Sequence, residues 1–322
     1  MIRYLSRNNV EHLGVNGSML ANRIEQTIVA SANGAVENLP KSAVQLEDGR
    51  LFQSIMAVGK SSPAPPYAAT KVVGLSPDNH QKGLPHIGSV IVLLDRSTGL
   101  PLCIMDGSWI TETRTAALSL IVARRFARPD AQCIGFVACG AQARSHLAVL
   151  KKEFPLTKVT AFSRNVKTAE SFATWVREQG LEAIVTEDPM KAVAAQDIVV
   201  SSVPQGSAPM GFLQAQWLEP GAFATLVDLG RSWSEDGFLA IESKIVDNRL
   251  LAEKAQKTRP FTPSGPYTQD LEELITKSGS GNHSSNQRAV FVFQGIALAD
   301  LAAAALVFEK AVEANAGTQL ES

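Results

Sequence analysis

The sequence predicts an α/β protein in which an antiparallel sheet is followed by a doubly wound parallel sheet. The first observation is that four segments up to residue 106 alternate apolar and polar side chains, as strands with one buried face do. The second is that apolar strands and helical segments alternate after Pro129 and Asp130, which is typical of parallel βαβ units. The sequence therefore divides into two domains of different architecture.

The predicted elements follow this division in order. Residues 9–37 have the apolar spacing of a helical region that ends before Pro40. The segments that follow are strands at 51–58, 68–75, 89–95 and 100–106, a helix at 111–126, strands at 133–139, 158–162 and 183–185, helices at 141–153, 168–179 and 190–195, apolar strands at 197–203 and 222–228, and a helix at 295–315. Because the last helix is expected to pack on the first part, we place one domain at 1–122 plus 300–322 and the second at 123–299.

Composition and charge exclude several functional classes. The 322 residues are 45% hydrophobic and 19% charged, with a formal net charge of −1, so there is no electrostatic footprint for nucleic acid or anionic membranes. No apolar run approaches the roughly 18 residues of a membrane span, and the N-terminus lacks the apolar core of a signal peptide. Three cysteines without a CxxC pair predict reduced, buried thiols rather than disulfides or a metal site. We therefore expect a cytoplasmic protein that binds no metal.

The segment Gly135-Phe-Val-Ala-Cys-Gly-Ala-Gln-Ala143 joins the first strand of the second domain to its helix. A Rossmann dinucleotide-binding domain needs small residues at this turn, because the backbone and the helix N-terminus then hold the pyrophosphate. The usual G-x-G-x-x-G spacing is present as Ala138, Gly140 and Ala143, so alanine replaces the first glycine. The alternative is an ordinary strand turn, but the flanking strand and helix, and a second strand ending about 25 residues on, favour the dinucleotide site.

The second strand of this domain ends at Ser163, Arg164 and Asn165. An acidic residue at this point would bond the ribose hydroxyls of NAD, whereas arginine offers charge and a bidentate fork to a 2′-phosphate. The segment therefore slightly favours NADP(H) over NAD(H). The alternative is that Arg164 is only a solvated loop residue.

Three cationic residues of the first domain are candidates for chemistry. Lys71 lies within an apolar strand, where a lysine must be paired or neutralised by burial. Arg114 begins a helix of small and apolar residues and could clamp a substrate carboxylate, and Lys41 could add a second charge. For each residue the alternative is a salt bridge or a chain that reaches the surface.

Further motifs occur in a fixed order along the chain. They are Lys71 with Pro77-Asp-Asn79 and Gly83-Leu-Pro85, Asp95 with Thr98-Gly99-x-Pro101, Ile110-Thr-x-x-Arg-Thr-Ala-Ala117, Gly140-Ala-Gln-Ala143, Asp197-Ile-Val-Val200 and Phe291-x-x-x-Gly-Ile-Ala-Leu-x-Asp300. With these motifs the sequence resembles the ornithine cyclodeaminase/mu-crystallin family over nearly its whole length. The elements around Arg114 and Gly140 are together quite specific.

The resemblance implies a homodimer in which the first domains pair through their sheets while the second domains bind NAD(P). Family members include ornithine cyclodeaminases, alanine dehydrogenases, and reductases of ketimines, pyrroline-2-carboxylate and iminosuccinate. By the matching positions, Lys71 is similar to the lysine that contacts substrate and assists proton transfer, and Arg114 to the carboxylate-binding arginine. Lys41 stands where the family usually has another arginine, which alters the implied carboxylate pocket.

The segment 223–233, Phe-Ala-Thr-Leu-Val-Asp-Leu-Gly-Arg-Ser-Trp, departs from the cyclodeaminase pattern. Cyclodeaminases usually have His-x-Asn-Ala-x-Gly-x-Asp there, and Gly230 occupies the position of the final Asp. Asp228, two residues earlier, could still act as acid or base, or it could only cap a loop. Arg231, with His80 and His86, could add positive charge for a second substrate carboxylate, although lone histidines are more often structural.

These observations predict the NAD(P)H-dependent reduction of a small 2-imino acid, of ketimine or iminosuccinate type, or the reverse amino-acid dehydrogenation. One alternative is an ornithine or lysine cyclodeaminase that recycles NAD internally, and another is a non-catalytic, mu-crystallin-like NADP- or ligand-binding protein. Lys71 and Asp228 are the predicted catalytic residues, and Arg114, Lys41 and Arg231 the predicted substrate contacts. The predicted cofactor contacts are Thr115, Ala138, Gly140, Ala141, Gln142, Ala143, Ser163, Arg164, Asn165, Ser202, Val203 and Gly295.

Overall fold

A computed structural model describes residues 1–205, 210–258, 266–277, 284 and 286–321. Its strands are β1 (Ile2–Leu5), β2 (Val36–Asn38), β3 (Ser42–Gln45), β4 (Leu51–Gly59), β5 (Tyr67–Leu75), β6 (Ile87–Asp95), β7 (Pro101–Asp106), β8 (Cys133–Val137), β9 (Lys158–Phe162), β10 (Glu182–Thr186), β11 (Ile198–Ser201), β12 (Phe223–Leu226), β13 (Ser243–Val246), β14 (Gln269–Asp270), β15 (Ala289–Val292) and β16 (Thr318–Leu320). Its α-helices are α1 (Arg7–Glu11), α2 (Gly17–Ala32), α3 (Gly107–Phe126), α4 (Ala141–Leu150), α5 (Val166–Glu178), α6 (Glu235–Phe238), α7 (Arg249–Thr258), α8 (Leu271–Thr276) and α9 (Ala297–Glu313).

The chain forms two compact units. Unit 1 comprises Met1–Leu118 and Ile296–Ser322, and unit 2 comprises Ser119–Gly295. The domain boundaries placed from the sequence, after residues 122 and 299, each lie four residues further along the chain than these. The α9 segment belongs to unit 1, where it packs on α2, β4 and β5, as predicted for the final helix.

Unit 1 contains a sheet whose strands lie in the order β16-β1-β7-β6-β5-β4-β2, with β3 also paired to β4. Every pairing is antiparallel except that of β1 with β7. Alternate side chains of the central strands point into the core, among them Ile55, Ala69 and Ile91. The alternation read from the sequence thus gives one buried face, which the helices α2 and α9 cover.

Unit 2 is the doubly wound part, with a parallel sheet in the order β10-β9-β8-β11-β12-β15-β13-β14. The chain runs outward from β8 through β9 to β10 and then returns to β11 on the other side of β8. The strand order therefore reverses between β8 and β11. In sheets of this kind ligands bind beyond the carboxyl ends of the strands at that reversal. The fold class predicted from the sequence is confirmed.

The helical region predicted at 9–37 was wrong, and the helix predicted at 190–195 is a short 3-10 helix at Pro189–Ala192. Residues 9–37 form α1 and α2 separated by a break and are followed by β2, rather than one helical region. Gly14 adopts φ +72°, Asn16 caps α2 by accepting a hydrogen bond from the Met19 amide, and Gly34 adopts φ +73° after the helix. Left-handed glycines end helices and an asparagine N-cap begins one, yet the apolar spacing continues across these residues without a gap.

Within the described ranges no helix combines the length and the apolar content that crossing a membrane requires.

Candidate active site

The residues predicted to carry chemistry form two groups, one in each unit. Lys71, Arg114 and Lys41 belong to unit 1. Asp228, Arg231 and most of the predicted cofactor contacts belong to unit 2.

Lys71 lies in the middle of β5 and is 1% exposed. Its ammonium donates a hydrogen bond to Asp300 Oδ1 at 2.7 Å and a longer one to Thr111 Oγ1 at 3.3 Å. Arg114, in α3, places Nε 3.1 Å from the same Oδ1, an ion pair in which the N–H is not aimed at the oxygen. One carboxylate oxygen therefore contacts both cations, while Oδ2 accepts no hydrogen bond from the described residues.

The electrostatics of this cluster follow from burial and from the imbalance of charge. Burial and the nearby Arg114 lower the pKa of Lys71 to about 8, against the opposing effect of Asp300. Burial alone would raise the pKa of Asp300, but Lys71 and Arg114 hold it below its ordinary value. Two cations thus surround one buried anion, and the cluster carries a net positive charge that suits a substrate carboxylate.

Asp300 was absent from the candidates named in the sequence. It occupies the first turn of α9, whose buried face is otherwise built from alanine, leucine and valine. A single carboxylate in that apolar run was the signal that could have revealed it, because a buried lysine requires a counter-ion. The two residues are 229 positions apart, so local spacing could not join them.

Two further predicted residues of unit 1 have different surroundings. Lys41 precedes β3, is partly buried, and acts electrostatically on both Lys71 and Asp300. Thr115 is buried in α3, and its hydroxyl donates to the Thr111 carbonyl at 2.6 Å within the helix.

The predicted pyrophosphate turn lies at the carboxyl end of β8. Ala138 has φ +73°, the left-handed conformation that a glycine usually supplies at this point. Gly140 is the N-cap of α4, and a Cβ added to it would meet no atom within 4 Å. The first turn of α4 therefore has no side-chain cap, and there is open space beside Gly140, an arrangement that fits a dinucleotide pyrophosphate.

A buried polar network connects the helix that follows this turn to the sheet. His146 of α4 lies between the Ser119 hydroxyl, at 2.9 Å from Nε2, and the Gln142 carbonyl, at 2.8 Å from Nδ1. Burial lowers the pKa of His146 to about 4, so the ring is neutral at physiological pH. Ser119 also bonds Thr225 of β12 at 2.8 Å. This network, missed in the sequence, ties the first turn of α4 to the sheet.

The residues after β9 separate into two roles. Asn165 caps α5 by accepting a hydrogen bond from the Lys167 amide at 3.0 Å. Arg164 is exposed, and among the described residues it forms no ion pair. Ser163 directly follows the last residue of β9 and precedes both of these residues. Arg164 is therefore the side chain of this segment that is available to an anionic ligand.

Asp228 follows β12 and is 4% exposed. Its carboxylate accepts hydrogen bonds from the hydroxyls of Ser232 and Ser201, at 2.7 and 3.2 Å, and from the amides of Gly230 and Val203, at 3.2 and 3.4 Å. Burial raises its pKa above the ordinary value, although these donors and the charge of Arg231 oppose the shift. Asp228 thus joins the loop after β11 to the loop after β12.

Residues 228–231 form a tight turn. Leu229 and Gly230 have φ values of +64° and +75°, and the Arg231 amide donates to the Asp228 carbonyl at 3.3 Å. The Arg231 side chain turns back on the same loops, with Nε donating to the Asp228 carbonyl at 3.0 Å and Nη2 to the Val203 carbonyl at 3.3 Å. Arg231 therefore braces these loops.

The remaining predicted cofactor contacts lie at the same carboxyl edge of the sheet. Ser202 donates to the Ala138 carbonyl at 3.4 Å, which connects the loop after β11 to the pyrophosphate turn. Gly295 has φ +83°, and its amide donates to the Asp247 carboxylate at 2.6 Å.

The cysteines and the possible metal ligands of the described residues are considered together. Cys103, Cys133 and Cys139 are free thiols, of which Cys103 and Cys139 are buried and Cys133, at the start of β8, only partly so. Across the described ranges, no three His, Cys, Asp or Glu side chains cluster in a way that could hold a metal ion.

A fold with one parallel dinucleotide-type unit and a second unit that buries a lysine–carboxylate–arginine cluster defines a class of cofactor-dependent α/β proteins. The family model described as ornithine cyclodeaminase/mu-crystallin matches residues 3–315, and the chain belongs to that family. The family resemblance stated from the motifs is therefore confirmed.

Individual relatives align over almost the whole chain. An alanine dehydrogenase of Archaeoglobus fulgidus is 27% identical over 98% of this chain and 97% of its own. The ketimine reductase mu-crystallin of Mus musculus is 28% identical over 95% and 96%, respectively. The structure of an archaeal alanine dehydrogenase dimer with bound NAD is 25% identical, with a TM-score of 0.85 over 99% of both chains.

Proposed function

We propose that this protein catalyses the NAD(P)H-dependent reduction of a small 2-imino acid to the amino acid, or the reverse dehydrogenation. The observation that carries the proposal is the buried cluster in which Asp300 contacts both Lys71 and Arg114. It combines a lysine whose pKa is near physiological pH with an arginine suited to a carboxylate. A 2-imino acid presents both complementary groups, a nitrogen that takes up a proton and an adjacent carboxylate.

In this mechanism each residue of unit 1 has one task. Arg114 binds the substrate carboxylate and so fixes the position of the α-carbon. Lys71 holds the imino nitrogen by a hydrogen bond and gives it a proton, which it regains from solvent. Lys41 adds to the positive potential that attracts the anionic substrate. The nicotinamide dinucleotide supplies the hydride when bound.

In unit 2 the dinucleotide would be held at the carboxyl edge of the sheet. The open space beside Gly140 and the uncapped start of α4 would accommodate the pyrophosphate. We further propose a preference for NADP(H), because Arg164 is exposed and forms no ion pair within the described residues. An Arg164→Ala variant should raise the KM for NADPH with little effect on that for NADH, and equal effects would contradict the preference.

The named activities of two relatives support the reaction type. One is named as a dehydrogenase of the amino acid alanine and the other as a reductase of ketimines, so the names give the two directions of the proposed reaction type. The contacts of Asp228 favour its loop-capping role over an acid or base role, which leaves Lys71 as the proposed proton donor. Arg231, which braces the same loops, keeps only a minor role in the proposed substrate site.

The cyclodeaminase alternative is less well supported. Gly230 stands where cyclodeaminases usually have a catalytic Asp, and its φ of +75° is a conformation that an aspartate adopts only at a cost. A cyclodeaminase would also need no external reductant and would release ammonia.

We propose that the protein is a homodimer through the sheet of unit 1. The face opposite α2 and α9 carries apolar side chains in neighbouring positions, including Phe52, 51% exposed, and Val72, 47% exposed. An apolar sheet face of this kind is typical of a subunit interface, and an archaeal alanine dehydrogenase of the family is a dimer. A Val72→Lys variant should elute as a monomer in size-exclusion chromatography with light scattering, whereas an unchanged mass would contradict this interface.

The experiment that tests the reaction follows the near-ultraviolet absorbance of NADPH or NADH. The substrates are 2-oxo acids mixed with ammonia or methylamine, including pyruvate, glyoxylate and oxaloacetate, together with cyclic imines. Oxidation of the reduced cofactor with one of these imines is expected. Ammonia release from ornithine without added reductant, with no oxidation in the panel, would favour the cyclodeaminase. Cofactor binding without either reaction would favour a non-catalytic binding protein.

A further inference from the structure

Lys71 lies at a point of the sheet that offers its ammonium no stabilisation. Its partners in register on the neighbouring strands, Ile55 of β4 and Ile91 of β6, are both buried and apolar. A charged nitrogen in such surroundings is strongly disfavoured unless an anion contacts it. Any counter-charge must therefore come from elements that pack against the sheet.

Those elements supply one anion and two cations to Lys71. Asp300 comes from α9, while Arg114 and the neutral Thr111 come from α3, and Lys41 acts from the segment before β3. Arg114 and Lys41 disfavour the ammonium, so Asp300 is the group among them that favours it. The carboxylate is within the first turn of α9, where the helix dipole also stabilises negative charge.

We propose that Asp300 is a positioning residue that keeps Lys71 protonated and holds its ammonium in place for proton transfer. This inference deepens the proposed function and rests on it. Asp300 is held as a carboxylate by the two cations, so it has no proton to give near neutral pH and acts through Lys71. Because the same oxygen contacts Arg114 at 3.1 Å, it also sets the spacing between the proton donor and the carboxylate-binding group.

The test is the pH profile of kcat/KM for imine reduction in an Asp300→Asn variant, which keeps the shape and removes the charge. In the wild type, activity should fall as pH rises through about 8, when Lys71 loses its proton. This fall is the alkaline limb of the profile. Removing the opposite charge in contact with Lys71 should move the alkaline limb down by about one to three pH units. The kcat/KM at pH 8 should then fall at least about fivefold, since about half of Lys71 is protonated there in the wild type and a shift of one unit leaves about one in eleven.

Asp197→Asn is the matched control. Asp197 is a partly buried carboxylate at the amino edge of the unit 2 sheet, where it accepts hydrogen bonds from the Gln132 and Cys133 amides and pairs with Arg128 at 3.3 Å. It should lose stability and keep the alkaline limb. An alkaline limb that stays in place in Asp300→Asn, with only a loss of stability, would overturn the proposal.

Two further measurements cover a variant that folds poorly. Asp300→Glu retains the carboxylate and should restore the alkaline limb toward that of the wild type. In addition, NMR titration of lysine ε-carbons, with Lys71 assigned from its absence in Lys71→Met, reports the Lys71 pKa without substrate. A lower Lys71 pKa in Asp300→Asn supports the proposal even where imine reduction fails, and an identical pKa in both proteins contradicts it.

Discussion

Asp300 of unit 1 and Asp228 of unit 2 are both almost fully buried, at 3% and 4% exposure, yet their surroundings have opposite effects. Asp300 contacts two cations, and its pKa is lowered. Asp228 accepts hydrogen bonds from neutral hydroxyl and amide groups, and burial raises its pKa against the opposing effects of these donors and of the nearby Arg231. Burial therefore does not decide what a carboxylate does. The charge of its partners decides it.

The difference in partners assigns Asp300 to the proposed chemistry and Asp228 to the structure of the loops. Around Asp300, charges compensate each other incompletely, so a bound anion and a transferable proton are both accommodated. Around Asp228, the neutral donors fix two loops beside the pyrophosphate turn, because Val203 and Ser202 are adjacent and Ser202 bonds the Ala138 carbonyl. The same residue type thus serves charge balance in one unit and loop geometry in the other.

The largest expected effect is on Lys71. Lys71→Met removes the proposed proton donor and should reduce turnover by about 10²- to 10⁴-fold while leaving cofactor affinity nearly unchanged. The measurements are steady-state kinetics and fluorescence titration with NADPH. Lys244→Met is the control, because the buried Lys244 ammonium donates to the carbonyls of Phe238 and Leu239 at 3.2 and 3.4 Å and pairs with no carboxylate of the described residues.

The control variant should change stability and leave turnover intact. Equal loss of turnover and cofactor affinity in Lys71→Met would instead identify Lys71 as a structural lysine. The contrast between the two units would then lose its functional meaning.

The next effect is on the stability of unit 2. Asp228→Ala leaves two hydroxyls and two amides without their acceptor and should cost about 3 kcal/mol, whereas Asp228→Asn keeps one acceptor oxygen and should cost less. Urea denaturation followed by fluorescence measures both. If Asp228→Asn reduced turnover as strongly as Lys71→Met with no loss of stability, Asp228 would be an acid or base instead.

The extent to which the sequence predicted these two sites differs for physical reasons. Lys71 and Arg114 could be named because a cation in an apolar segment is locally conspicuous, while Asp300 needed the packing of α9 on β5 to become visible. Strands β4 to β12 were predicted from alternation and apolar runs. Strands β13 and β15 were missed, although β11 and β12 are equally short and were predicted as apolar runs. The choice between an acid–base role and a loop-capping role for Asp228 required its hydrogen-bond donors, which the sequence does not show.

A smaller effect distinguishes the two carboxylates directly through the pH dependence of stability below pH 6, where Lys71 stays protonated. The lowered pKa of Asp300 contributes stability above its unfolded value of 3.8, which is lost as pH falls through the folded value. The raised pKa of Asp228 acts in the opposite sense, since the folded chain binds that proton more tightly. The advantage of the wild type over Asp300→Asn should therefore shrink on acidification, and that over Asp228→Asn should grow.

Urea denaturation between pH 6 and pH 3 tests these two variants. The free energies of unfolding should differ by about 1 kcal/mol or more for each unit of pKa shift. Parallel changes in the two variants would show that the partners do not set the titration of these groups. The comparison between the two units would then reduce to burial alone.

The smallest expected effect concerns the pyrophosphate turn that the Asp228 loops support. Ala138 adopts φ +73°, which costs an L-residue about 1–2 kcal/mol, and its backbone is held by hydrogen bonds to Phe162 and from Ser202. Ala138→Gly should relieve this cost, and after the greater unfolded-state entropy of glycine the net gain should be up to about 1 kcal/mol. Ala195→Gly, at φ +55° and outside the turn, is the matched variant.

A gain of stability in both variants, with NADPH affinity retained in Ala138→Gly, means that the turn is shaped by backbone contacts. A loss of stability confined to Ala138→Gly means that the Ala138 methyl group packs in the site. The hydrogen bonds around Asp228 would then support side-chain packing at the turn as well as the shape of the loops.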